Sequence, residues 1–408
     1  MRFQALIITS FTLIPLSLHA QPDFVWGKQF GTSQEEYVMN HVADNCGYLY
    51  IGGKTSGSFN GANRGKNDAF IVKVDGEGNL VWQRQFGSSG DEDEQWCAID
   101  PTGDIYVTGS TTGNLNGVNR GREDVFVTKF SSEGHLLWTV QCGTDSTDVG
   151  QSVVAEGEFI YVTGTTSGAF GKNNPGKSDC FLMKLNKSGE IIFIKQFGTD
   201  ADDFATSISL FDNTIFICGN TWGDLGGKNA GFIDCFTSEF DLSGNPLISH
   251  QFGTPGFDIA MNILAEADGM YVCGSTSDNL GAEQLGEGDA FLLKMKQTGE
   301  IIWKSQFGTN LHDGARCIAA NSKFPDLVLV SGLQHLAPAQ GFIRAFKKDG
   351  TFLWEHTVTD IYGEMNSSGK SVILHDSGII THIGLTSSEI FDPLIGVTDF
   401  YIAGYQLR

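Results

Sequence analysis

The sequence predicts an all-β fold: a single seven-bladed β-propeller with four antiparallel strands per blade, its N-terminal strand closing the last blade. Three observations predict it. A strand motif recurs seven times, two further markers keep fixed offsets from it, and a fourth-type strand stands alone near the start of the chain. The motif is Trp26-Gly-Lys-Gln-Phe-Gly31. It returns at residues 82–87, 138–143, 193–198, 248–253 and 303–308, with a worn copy at 354–359, at spacings of 51 to 56 residues. The second marker is Gly-x-Thr, starting at Gly53, Gly109, Gly164, Gly219, Gly274 and Gly384. The third is Asp-Ala-Phe and its variants, at Asp68, Asp124, Asp179, Asp234, Asp289 and Asp399, each 15 residues after the Gly of Gly-x-Thr. In the sixth repeat Gln340 takes the Asp position after a shorter loop. Insertions fall between markers, where surface loops absorb them.

Each repeat reads as four strands, and the second shows them in order. Gln95 to Asp100 is a short run after an acidic loop. Asp104 to Gly109 is a β-branched run after a Pro101-Thr-Gly103 turn. Asp124 to Phe130 alternates apolar and polar residues, and His135 to Gln141 is the fourth strand. A Ser131-Ser-Glu-Gly134 turn joins these last two, with Gly late in the turn where positive φ is needed. Phe70, Phe126, Phe181, Phe236, Phe291, Phe342 and Tyr401 share one position. Their burial between blades removes about 150–250 Å² each from water, several kcal/mol per blade as an upper figure. The chain ends on a third-type strand, Asp399 to Leu407, and begins with the fourth-type strand Phe24 to Phe30. Pairing the two closes the ring and removes exposed edges.

Residues 1–20 read as a secretory signal: Arg2, an apolar run from Ala5 to Leu18, and a small residue, Ala20, at the cut site. Residues 21–408 then form the propeller, secreted, periplasmic or on the cell surface, with no membrane-spanning segment. A net charge of −22 argues against nucleic acid as a partner. The chain reads as a monomer. Among the eight Cys, Cys218 and Cys273 fill a slot held by Thr108 and Thr163, so they read as small core residues. Cys218 and Cys235, on neighbouring strands of one repeat, are the pair best placed for a disulfide.

The Trp-x-x-Gln-Phe-Gly, Ile-Tyr-Val-Thr-Gly-x-Thr and Asp-Ala-Phe-x-x-Lys strands resemble the SBBP repeat, the seven-bladed β-propeller repeat of bacterial exported proteins. The resemblance covers residues 24–408 and is strongest through residue 310. It implies a propeller exported by a bacterium and carries no catalytic residues. The hairpin from Lys294 to Trp303 is also similar to the repeat of quinoprotein dehydrogenases and their scaffold relatives. Seven repeats and the lack of adjacent Cys speak against a quinone cofactor.

Two residue rows are candidate sites. Five residues after the motif Gly stand Glu36, Glu92, Asp148, Asp203, Asp258 and Asp313, at the start of each innermost strand. Carboxylates converging on one channel mouth would bind calcium, a hard cation that takes oxygen ligands; the competing reading is that each acid caps its own turn. Otherwise no cofactor is indicated. The loops between Gly-x-Thr and the third-strand Asp place Asn60, Asn63, Asn116, Asn119 and Trp222 on one rim, where amides and an aromatic suit a sugar and also suit turns. The Asp row from Asp68 to Asp399 reads as structural, its carboxylates accepting N–H bonds from the preceding loop. Enzyme signatures are poor: Gly53-Lys-Thr55 lacks the first Gly of a phosphate loop, and neither His-Glu-x-x-His nor Gly-x-Ser-x-Gly is present. The expectation is a non-catalytic binding or scaffold module for a protein or glycan. The alternative is an exported hydrolase or lyase at one rim of the channel.

Overall fold

Every sheet is a four-stranded antiparallel meander, because each repeat supplies four short β-rich runs separated by turns. The computed structural model describes residues 20–59, 62–171, 177–335, 339–358 and 367–408, with the side chain of Glu94 excepted. The signal expected over residues 1–20 (all but Ala20) and the rim residue Asn60 lie outside the described residues.

Seven sheets form the ring. Blade one runs Glu36–Ala43, Leu49–Thr55, Asp68–Val74 and Leu80–Phe86 from the channel outward. Blades two to six repeat that order, with innermost strands Glu92–Ile99, Asp148–Glu156, Asp203–Phe211, Asp258–Glu266 and Asp313–Ala320. Blade seven takes Ser367–Leu374, Ile379–Thr386 and Asp399–Gln406 from the C-terminal end and Asp23–Phe30 from the N-terminal end. The register of that closing pair runs from Asp23 opposite Gln406 to Phe30 opposite Phe400, and Arg408 forms an ion pair with Asp23. The expected closure is therefore the one observed.

The sequence markers are the two halves of inter-blade contacts. Trp82 Nε1 donates to the carbonyl of Ser132, 3.1 Å away in the hairpin turn of the next blade; Trp138 reaches Lys187 at 3.0 Å and Trp303 reaches Lys348 at 2.9 Å. Gly134, at φ +78°, packs on the Trp82 ring, where a Cβ would lie 2.9 Å from the indole. At the other face, each innermost strand is tied to the preceding blade by a backbone bond. Glu92 N–H donates to Asn67 O at 3.0 Å, Asp148 to Glu123 at 2.9 Å, and even the worn seventh blade keeps Ser367 to Ala339 at 2.9 Å.

A second unit locks the loops. Gln141 donates to Asp124 Oδ2 (3.1 Å) and to Gly113 O (2.9 Å), and its Oε1 accepts from the Leu115 N–H (2.9 Å). The equivalent Gln and Asp pair at Gln29–Asp399, Gln85–Asp68, Gln196–Asp179, Gln251–Asp234 and Gln306–Asp289, at 2.7–3.0 Å. Gly143 lies between Asp124 and Asp148 of the next blade, and a Cβ there would sit 2.3 Å from one carboxylate and 2.9 Å from the other. Where blade six meets blade seven, the whole unit is replaced at once. Gln340 stands for Asp, Thr357 for Gln, Thr359 for Gly and Ser367 for the acid. Joint loss at one junction of seven marks these four residues as a single device.

The core follows the predicted aromatic column: Phe70, Phe126, Phe181, Phe236, Phe291, Phe342 and Tyr401 are all fully buried. The cysteines behave as the small core residues the sequence suggests. Cys218 and Cys235 are both buried and both free thiols, because Cys218 faces Thr237 and Cys235 faces Asn220 across the ladder. That diagonal offset is about 7–8 Å for Cα atoms, beyond the span a disulfide bridges.

Blade seven also gathers buried imidazoles. His41 of blade one lies 3.0 Å from Ser371 Oγ and 2.9 Å from Thr381 Oγ1, and His375 reaches the same Thr381 hydroxyl at 2.9 Å. Burial lowers the pKa of His382 to about 3 and that of His41 well below its usual range, with neighbouring His charges adding to both shifts. A depressed folded-state pKa means that the unfolded chain binds protons first, so this stability is present above pH 6.5 and lost as pH falls. Between pH 7 and pH 5, the wild type should lose about 2 kcal/mol relative to His382→Gln, from 1.36 kcal/mol per pH step below the unfolded value. Glu239, pushed up to about 7 by burial, acts in the opposite sense, so the paired comparison by chemical denaturation is the informative readout. An unchanged difference between the two proteins at the two pH values would contradict the assignment.

Candidate functional site

The innermost strands line the channel, and each carries an irregularity at the same place. The register against the second strand slips between Val38 and Asn40, Gly150 and Ser152, Ala205 and Ser207, Ala260 and Asn262, Ala315 and Cys317, and Gly369 and Ser371. A β-bulge inserts one residue and re-aims its side chain. The inserted residues are Met39, Gln151, Thr206, Met261, Arg316 and Lys370, and all six line one cavity of about 240 Å³. In blade two the slip is longer, between Asp93 and Trp96, and Trp96 reaches the cavity. Tyr37 completes the wall. This mouth lies at the start of the innermost strands. The other half of the channel, about 560 Å³, is lined by the strand ends, among them Val42, Ala98 and Val153.

The mouth is chemically uneven. Among the described side chains that line it, Arg316 and Lys370 carry the only charges, and they come from adjacent blades. Lys370 is buried; its Nζ donates to Tyr37 Oη at 2.8 Å and sits 4.3 Å from the ring centroid. Lys54, paired with Asp93 at 2.5 Å, lies 5.5 Å from the same ring. Arg316 Nε and Trp96 Nε1 are shielded from solvent and have no acceptor among the described residues. On the same face, Trp222 packs edge-on against Phe204 at 5.4 Å, and Phe232 stacks on Phe257 at 5.1 Å. Trp222, Phe232 and Phe257 are all exposed, so blades four and five add an aromatic rim.

The sequence-derived rows occupy this face in a different role. Glu36 accepts from the Thr32 N–H (2.7 Å), the Thr32 hydroxyl (2.6 Å) and the Thr55 hydroxyl (2.6 Å). Glu92 repeats the pattern with Ser88 and Thr111, and Asp148 with Thr144 and Thr166. Asp203, Asp258 and Asp313 accept from Thr199, Thr254 and Thr309. The Thr of Gly-x-Thr thus serves the acid of its own blade in these first three blades. All six acids are buried, and burial raises the pKa of Glu36, Glu92, Asp148 and Asp258, with the third-strand Asp of the preceding blade adding to the rise. The carboxylates stay in their own blades and do not converge. No group of three or more His, Cys, Asp or Glu able to hold a metal is found among the described residues.

The rim asparagines are also engaged. Asn63 Nδ2 donates to Ser56 O (2.9 Å) and Lys66 O (3.0 Å), Asn116 Nδ2 donates to Thr139 O, and Asn119 Oδ1 accepts from the Gly121 N–H (3.0 Å). Of the predicted rim, Trp222 presents an exposed ring.

The SBBP β-propeller repeat matches residues 97–116. That stretch holds the end of the innermost strand of blade two, the whole of its second strand, Ile105–Thr111, and the start of the loop after it. The resemblance read from the repeat is met over this segment. The regulatory protein FlaEY of Caulobacter vibrioides is 25% identical over 172 residues, an alignment covering 38% of this chain and 18% of that protein. The chain thus spans under a fifth of the length of that curated relative. Among solved structures, the WD40 β-propeller domain of Doa1 superposes with a TM-score of 0.52 at 11% identity, covering 94% of this chain and 96% of that one. A chain of the Drosophila Plexin A complex with Semaphorin 1b gives 0.51 at 8% identity, covering 95% and 88%. At these identities the likeness is one of fold.

Sequence reasoning did not single out the mouth residues. A signal was present in six repeats: three residues after the slot at the start of the innermost strand stand Met39, Gln151, Thr206, Met261, Arg316 and Lys370, a variable column among repeated ones, whereas blade two places Trp96 one residue later.

Proposed function

We propose that this chain is an exported, non-catalytic β-propeller that binds a protein or glycan ligand at the mouth built by its bulged residues. One observation carries the reading: seven copies of a repeated frame line one cavity with side chains of six different types, Met39, Trp96, Gln151, Thr206, Met261, Arg316 and Lys370. A frame that only needed to close would repeat this position as it repeats the Gln and the Asp. The exposed rings of Trp222, Phe232 and Phe257 extend the same face and suit a ligand larger than the cavity. Export is supported by Arg2, the apolar run and Ala20. The non-catalytic reading is supported by the acids of this face, which are occupied in their own blades, and by His41, His375 and His382, which bond to Ser, Thr and Tyr hydroxyls.

Gln151→Trp fills the mouth without touching the locking units. Glycan-array and pull-down screening should recover a ligand with the wild type and bind it about tenfold or more weakly with the variant. Melting should be unchanged. Equal capture by both proteins would contradict the site. Robust turnover of a polysaccharide or peptide panel would contradict the non-catalytic assignment.

A further inference from the structure

We propose that the junction between blades four and five is a pH-sensitive seam, held closed while the Glu239 carboxyl keeps its proton and loosened when it gives the proton up. At three other junctions the contact is built on a Lys and a Trp that face each other across the outer pair of strands: Lys73 with Trp82, Lys129 with Trp138 and Lys294 with Trp303. Each Lys lies over the Tyr of the second strand, Lys73 at 4.9 Å from the Tyr50 ring centroid, Lys129 at 5.3 Å from Tyr106 and Lys294 at 5.0 Å from Tyr271. Lys73 Nζ also donates at 3.1 Å to Ser132 O in the hairpin turn of the next blade, the carbonyl that Trp82 reaches, and Lys184 Nζ donates to Leu242 O at 2.8 Å. Blade four replaces all three residues: Glu239 stands for Lys, Ile248 for Trp and Phe216 for Tyr. Of the seven junctions, this one alone carries neither the Lys nor the Trp.

The replacement puts a carboxyl in the slot of an ammonium. Glu239 is 6% exposed, faces Phe216 and Ile248 across the ladder, and its shielded Oε1 has no partner among the described residues. Charged groups on the surrounding elements are engaged elsewhere or face solvent. In blade five, Lys296 pairs with Glu300 at 2.8 Å in the hairpin turn, and Lys294 pairs with Asp268. Asp241, on the strand of Glu239, accepts from the N–H groups of Ser243 and Asn245, both at 2.8 Å, and Asp212 in the turn before Phe216 is exposed. His250 of the outer strand donates through Nε2 to Gln297 O at 2.9 Å, the carbonyl equivalent to Ser132 O. A protonated carboxyl rests in such a place at little cost, whereas an ionised one without a partner does not. Burial pushes the Glu239 carboxyl up to about 7. Its folded value lies above the unfolded 4.5, so the seam is at full strength below 4.5 and weakens as pH rises through about 7. The end of the junction beside the mouth is held separately: Phe232 stacks on Phe257 at 5.1 Å, and the Asp258 N–H donates to Ile233 O at 2.9 Å. Opening is therefore local, at the far end, where it brings water to the carboxylate.

Hydrogen–deuterium exchange at pH 6 and pH 8.5, corrected for the intrinsic exchange rate, tests the seam. In the wild type, protection of residues 238–250 and 295–300 should fall about tenfold between the two pH values, from a carboxyl at about 7 in the closed seam and 4.5 in the open one. Protection of residues 232–234 and 257–259 should hold. Glu239→Gln should abolish the fall, because the amide keeps the shape and does not titrate. Glu239→Lys, which restores the residue of the other blades, should hold the segments closed at both pH values. Melting curves of both variants check folding, and either variant alone suffices for the comparison. Equal protection of the wild type at the two pH values would overturn the seam. So would a fall of the same size in Glu239→Gln, which would point to His250, or a loss of protection spread over all seven junctions. Ligand capture at the mouth is read in a separate experiment, so the binding assignment stands or falls independently of this one.

Discussion

Deletion of residues 22–31 is expected to abolish cooperative folding of the whole ring. The lost strand supplies one edge of blade seven in register with Asp399–Gln406. It also carries Trp26 and Phe30, which pack on the cluster of Val38, Phe70 and Phe400 between blades seven and one, and Gln29, which donates to Asp399 at 2.9 Å. Loss of the two rings and the Gln29 bridge amounts to about 5 kcal/mol before the freed edge is counted. Domains hold only about 5–15 kcal/mol in total. The deletion should therefore yield a protein without a sharp calorimetric transition. Adding the missing strand as a separate peptide should restore part of it. A truncated protein that melts like the wild type would show that closure is dispensable.

The second large effect is expected at the locking unit. Gln141→Ala leaves the Asp124 carboxylate, the Leu115 N–H and the Gly113 carbonyl without their shared partner. Each buried group left unsatisfied costs about 1–3 kcal/mol, so a loss of about 3 kcal/mol or more is expected. Asp124→Ala should cost less, because removing its charge also relieves the repulsion that helps raise the pKa of Asp148 across the junction. Thr357→Ala, at the equivalent site of blade six, should lie within about 0.5 kcal/mol of the wild type. Chemical denaturation of the three variants separates these values. Similar losses at Gln141 and Thr357 would mean that the unit is not what stabilises the junctions.

The blade count, strand order and closure were legible in the sequence because seven copies hold their registers, and a repeated marker reports a repeated contact. The Trp of the fourth strand and the Gly of the following hairpin meet across each of several blade junctions, and the Gln meets the Asp within a blade. The sequence could name Cys218 and Cys235 only as the best-placed pair, because adjacency of strands does not fix register; the two are diagonal, not opposite. The acid row marks the face on which the bulged residues lie, but sequence cannot show that Thr32 and Thr55 already occupy the oxygens of Glu36. The mouth residues were hidden for a physical reason. Alternation assigns a side chain to a sheet face, whereas a bulge breaks alternation at one residue, and its position follows only from pairing. Arg316 and Lys370 therefore read as ordinary strand residues until Ala315, Cys317, Gly369 and Ser371 are seen paired around them.

The most direct test of the account is hydrogen–deuterium exchange with and without the ligand recovered by screening. Ligand should slow exchange at the beginnings of the innermost strands, around residues 37–40, 149–152, 314–317 and 368–371, and leave the outer strands unchanged. Protection confined to the outer strands or to the turns at the opposite face, around Asn45 and Pro101, would contradict a site made by the bulges.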